Sequence, residues 1–118
     1  MDLKIVEIND QKIAELIAQD VVINDIRDAM DLMANADYQE AKRIIIEEKH
    51  LPKDFFDLRS GMAGEILQKY AIYRMKLAII GDFEKFKSKS LKAFIVECNR
   101  GDSIFFVPDR KTALRKIS

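Results

Sequence analysis

Residues Arg43–Phe83 read RIIIEEKHLPKDFFDLRSGMAGEILQKYAIYRMKLAIIGDF. Ile44, Ile45 and Ile46 form one short apolar run. Leu77, Ala78, Ile79 and Ile80 form another, stopped by Gly81-Asp82. Between them Met62, Ile66 and Tyr70 recur at one-turn spacing, which predicts a helix with those three side chains in the core. A strand, a helix and a second strand over this length make one parallel crossover. In open parallel sheets, sites lie beyond the carboxyl ends of the strands. The residues that fall there are Glu47, Glu48 and His50, then Asp57, Arg59, Ser60 and Gly61, then Gly81, Asp82 and Ser88.

Working outward, Leu3 to Ile8 alternates like a strand, Asn9-Asp10 signals a turn, and Lys12 to Ile17 reads either as a returning second strand or, from Ala14, Leu16, Ile17 and Ala18, as a helix. Asn24-Asp25 are helix-capping types, and Ile26, Ala29, Met30 and Met33 follow at helical spacing to about Asp37. Leu91, Phe94, Ile95 and Cys98 share one helix face, ended by Asn99-Arg100-Gly101 with the glycine expected in a left-handed conformation. Ile104 to Val107 reads as a buried strand, and Asp109 caps a last helix with Ala113, Leu114 and Ile117 on its apolar side. The expected fold class is α/β: a single domain with a mixed, mostly parallel sheet, helices packed against it, and an antiparallel N-terminal hairpin at one edge. Ile45, Ile79 and Phe105 are expected in central strands.

A chain of 118 residues is one domain, large enough for a core without disulfide or metal staples. No apolar run reaches a membrane span, the start lacks a signal peptide's apolar stretch, and the single cysteine excludes an internal disulfide, so the expected location is cytoplasmic. Net charge is zero, yet residues 1–60 carry 8 basic and 14 acidic side chains and residues 61–118 carry 12 and 6. Either the halves attract each other within the fold, or a dipolar surface serves self-association or an acidic partner. No basic stripe with interleaved aromatics suggests nucleic acid; Lys85, Lys87, Lys89 and Lys92 cluster at a loop and helix start, where solvated lysines are common.

The order of elements resembles the STAS-like domain of anti-sigma factor antagonists and of anion-transporter tails. The local likeness lies in Arg59-Ser60-Gly61-Met62-Ala63-Gly64, since those antagonists carry a phosphate-accepting serine before a glycine that opens the second helix. The resemblance carries that role to Ser60 alone. Asp57 lies further back than the family's acidic residue, Leu58 and Arg59 replace small polar residues, and Pro52 to Phe56 lengthen the loop. The strings EKHL, FFDLRSGMAGEILQKY, YRMKLAIIGDF, SKSL and FIVECNRG together resemble a small uncharacterised bacterial family, domain of unknown function 4180. That likeness implies no activity.

Each candidate has a plain reading beside the sharper one. Ser60 either caps its helix or accepts phosphate at a helix start that favours anions. Gly61 and Gly64 either permit close packing of helix on sheet or let a partner backbone approach. His50 has no carboxylate pair on its own face for a metal, because Glu47 and Glu48 are adjacent. Cys98 sits on an apolar helix face, where a thiol is inert. No cofactor motif occurs. The function expected is a non-enzymatic regulatory or protein-interaction module acting through Ser60 and Gly61, with Arg59, Asp57, His50, Asp82 and Ser88 on the same rim. A protein partner or a homodimer is expected, and neither nucleic acid nor membrane. The alternative is a small hydrolase using Ser60, His50 and Asp82, although the turn lacks a Gly-x-Ser-x-Gly elbow.

Overall fold

The computed structural model describes residues 1–118. A hairpin opens the chain, β1 (Asp2–Ile8) and β2 (Gln11–Ile17). Asn9 and Asp10 both take left-handed φ, 54° and 65°, the backbone of a two-residue turn whose twist suits a hairpin. Helix α1 (Ile26–Tyr38) is capped by Asp25, which accepts from Asp28 N–H at 2.9 Å, and it buries Ala29, Leu32, Met33 and Ala36. Then come β3 (Arg43–Glu47), α2 (Lys53–Phe56), α3 (Met62–Ile72), β4 (Lys76–Ile80), α4 (Lys89–Arg100), β5 (Ile104–Val107) and α5 (Arg110–Ile117). Two short 3-10 turns, Glu48–His50 and Leu58–Ser60, flank α2.

The five strands lie in sequence order, β1 to β5; β1–β2 is antiparallel and every later pair is parallel. With a monotonic order, right-handed crossovers all pass over one face of the sheet. That face carries the larger core cluster, where Ile44, Ile46, Leu77, Ile79 and Phe106 meet residues of α1, α3 and α4. The alternate residues Ile13, Ile45, Ala78, Phe105 and Val107 point to the other face and meet Ala113 and Ile117 of α5. Strands buried on both faces read as unbroken apolar runs, as β3 and β4 do.

Two expectations need correcting. Phe105 is in β5, which is an edge strand and not a central one. It is nonetheless buried, because α4 and α5 cover its two faces and Asn99 covers its outer edge. The Asn99 amide donates to Phe106 C=O at 3.2 Å and accepts from Phe106 N–H at 2.7 Å, as a neighbouring strand would. Gly101 is extended, at φ −91°. The left-handed residues that close α1 and α3 are Glu40 and Arg74 instead.

Helix α5 is fixed to the sheet at both ends. Glu15, at the end of β2, accepts two bonds from Arg110 at 2.6 and 2.8 Å, and Arg43 donates to Ile117 C=O. The Arg110 hydrogen bond holds the Glu15 carboxyl below its usual range, against the opposing effect of burial. A carboxyl lowered in the folded state stabilises above its unfolded pKa, and that contribution is lost as pH falls through the folded value. The thermal stability gap between wild type and Arg110→Met should therefore be full at about pH 6 and shrink from about pH 4 downward. A gap that stays constant or widens on acidification would show that the pair contributes nothing through charge.

Candidate functional site

The carboxyl ends of β3 and β4 deliver the chain to one rim, and the long β3–α3 connection builds most of it. His50 is fully buried beneath that rim. Its Nδ1 accepts from Glu47 N–H at 3.0 Å, and its Nε2 donates to Ala18 C=O at 2.9 Å. Its own carbonyl accepts from Val22 and Ile23 N–H at 3.2 and 3.1 Å. His50 thus clamps the β2–α1 loop to the β3–α3 loop. The expectation that it belongs to an accessible surface is corrected: both ring nitrogens are engaged, and neither bonds Ser60 or Asp82. The hydrolase arrangement of Ser60, His50 and Asp82 is not assembled.

Ser60 is exposed. Its Oγ donates to Asp54 C=O at 2.6 Å and accepts from Met62 N–H at 3.2 Å. It therefore ties α2 to the first residue of α3, with Gly61 between them at φ +79°. A left-handed backbone there is why glycine is used. A Cβ built on Gly61 or Gly64 would meet nothing within 4 Å. Close packing of helix on sheet is thus not the reason for either glycine; both leave the outer surface of the helix start low and open. Arg59 is 92 % exposed in its side chain and pairs with Asp57, at 3.2 Å, rather than with Ser60. That hydrogen bond holds the Asp57 carboxyl below its usual range. Asp57 also accepts from Arg59 N–H at 3.1 Å, capping the 3-10 turn.

The end of β4 forms the second part of the rim. Gly81 has no room for a side chain, since a Cβ would lie 2.7 Å from Glu48 Oε1. Glu48 lies across it, accepts from Asp82 N–H at 3.3 Å and pairs with Lys85. Asp82 accepts from Glu84 N–H at 3.3 Å, and Ser88 caps α4 by accepting from Leu91 N–H at 3.2 Å. No three His, Cys, Asp or Glu side chains gather in a metal-binding group.

Sequence reasoning missed a groove of about 1110 Å³ between α4 and the ends of β4 and β5. Asp82, Phe83, Lys92, Val96, Asn99 and Phe106 are among its lining residues. Asn99, read from the sequence as part of a helix end, is held in this groove by its bonds to Phe106. The available signal was Val96, an apolar residue outside the α4 core face, which stands 48 % exposed. Below the groove, phenylalanines link the two parts of the rim. Phe56 of α2 stacks on Phe86 at 4.8 Å, and Phe55 and Phe83 both reach Phe106, at 6.2 and 5.1 Å. A chain of contacts through Asp54, α2 and this aromatic cluster runs from Ser60 to the groove. Cys98 is buried on the core side of α4, and burial pushes its thiol up to about 11, which keeps it unreactive.

A family model described as Domain of unknown function (DUF4180) matches residues 8–117. No curated protein and no solved structure matches the chain. No helix is long and apolar enough to cross a membrane.

Replacing His50 by alanine removes two side-chain hydrogen bonds and opens a cavity. We expect a loss of about 2–4 kcal/mol in urea unfolding. A loss under about 1 kcal/mol would contradict the clamp.

Proposed function

We propose that this chain, which belongs to the DUF4180 family, is a non-enzymatic regulatory module. In this reading it binds a protein partner through the surface around Ser60, Gly61 and Gly64, and it works in the bacterial cytoplasm with a STAS-like arrangement of elements. The observation that carries the reading is the open space in front of both glycines beside an exposed hydroxyl. A glycine inside a helix costs up to about 1 kcal/mol relative to alanine. Gly64 accepts that cost with no neighbour that would exclude a methyl group. A partner lying close against the helix start accounts for it.

The Ser60 bonds also suggest how such binding would be controlled. The hydroxyl now donates to Asp54 C=O, and a phosphate dianion has no proton to donate there. Phosphorylation would keep or strengthen acceptance from the helix N–H groups but release the end of α2. It would also place about −1.5 to −2 charges on the binding surface.

Wild type, Ser60→Ala, Ser60→Asp and Gly64→Lys can be immobilised and challenged with extract of the native host, with retained proteins quantified by mass spectrometry. A specific partner should be held by wild type and Ser60→Ala, and reduced roughly tenfold (about 1.4 kcal/mol) or more by the other two. Equal retention by Ser60→Asp, or no protein specific to wild type, would refute the reading. Independently, Gly64→Ala should raise stability by about 0.5–1 kcal/mol. A decrease would mean that the space before Gly64 is filled.

A further inference from the structure

The two edges of the sheet are treated differently. On β5, Asn99 occupies both polar groups of Phe106. On β1, nothing comparable exists. The two-residue turn makes Ile8 and Gln11 a hydrogen-bonded pair, so by alternation Val6, Lys4 and Asp2 also direct their backbone groups to β2. The N–H and C=O groups of Leu3, Ile5 and Glu7 then point outward, and no side chain bonds them. An unpaired strand of this length is a template for another strand.

We infer that this edge pairs with β1 of a second copy of the chain, antiparallel about a two-fold axis at Leu3. The charges select the register. Pairing centred on Lys4 would set two lysines opposite each other, and pairing centred on Glu7 two glutamates. Registers centred on Ile5 or Val6 pair no opposite charges. Centred on Leu3, Asp2 of each copy stands opposite Lys4 of the other, giving two symmetric ion pairs between side chains that are exposed in the single chain. Opposite charges facing each other across antiparallel strands stabilise, and like charges there destabilise.

The flanks of the same end support this. Ile17, the register partner of Asp2 on β2, is 53 % exposed. Beside β1 lies a groove of about 490 Å³ lined by Met1 and by Asp31, Ala34, Asn35 and Tyr38 of α1, with Tyr38 90 % exposed. A stable interface buries about 800 Å² on each partner, more than a short strand edge supplies. The exposed α1 flank adjoins that edge and would be covered with it. The surface is self-complementary, as a two-fold contact requires. It is separate from the Ser60 rim, so either inference can fail without the other.

The test is sedimentation equilibrium of the full chain, with circular dichroism to confirm folding. Wild type should sediment at twice its 13.6 kDa mass. Lys4→Asp or Asp2→Lys alone should weaken association about tenfold or more, by turning two attractive pairs into two repulsive ones. The double variant Asp2→Lys/Lys4→Asp should recover it. Leu3→Pro removes an outward N–H that has no partner within the chain, so it should leave a folded monomer. A wild-type monomer at high concentration overturns the proposal. So does a dimer indifferent to the single charge reversals, or one that survives Leu3→Pro.

Discussion

The pairing of β3 with β4 is the constraint from which the rest of the architecture follows. Ile44–Ile46 lie register to register with Leu77–Ile79, and all six side chains are buried. Successive residues of a strand face opposite ways, so each strand presents apolar surface to both sides of the sheet. Parallel pairing demands a crossover, and the crossovers of a monotonic sheet all fall on one side. The other side would be left bare. Helix α5 covers it, and the Glu15–Arg110 and Arg43–Ile117 contacts set the two ends of that helix against the first parallel strands. The short C-terminal helix is therefore a structural requirement of the central pair.

The same topology shapes the rim. A doubly wound sheet opens a crevice where its strand order reverses, but this order never reverses. Concavity arises instead where α4 meets the ends of β4 and β5. The β3–α3 connection is closed down by its own bonds: His50 is enclosed, Glu48 covers Gly81, and Ser60 spans two helices. The outer surface at Ser60, Gly61 and Gly64 remains uncovered. The two halves of the rim are joined by phenylalanine contacts and by Glu48, which bonds Asp82 N–H and pairs with Lys85.

Much of the fold was legible because apolar periodicity and capping residues act locally. Asp25 and Asp109 cap the helices they precede, and the turn signal at Asn9-Asp10 marks the β1–β2 hairpin. The errors came where distant residues decide. Glu40 and Arg74 close their helices in a left-handed conformation that costs a non-glycine residue about 1–2 kcal/mol. Nothing local marks such residues, because tertiary packing holds them. Gly101 looked like a local stop, yet Asn99 reaches past it to bond β5. His50 resembled a site residue by position; its burial depends on the β2–α1 loop, a long way off in sequence. The groove beside α4 is formed by three separate segments, so no window of sequence contains it.

The Asn99 clasp has a consequence for assembly. A sheet with two bare edges can add copies at both, and head-to-tail addition has no natural end. Here one side chain occupies both outward polar groups of Phe106 and stands in the path of a strand approaching β5. Lateral growth is thereby disfavoured at β5 relative to β1. The amide of a single asparagine thus works against open-ended edge-to-edge association, and it does so from a helix, without adding a residue to the sheet.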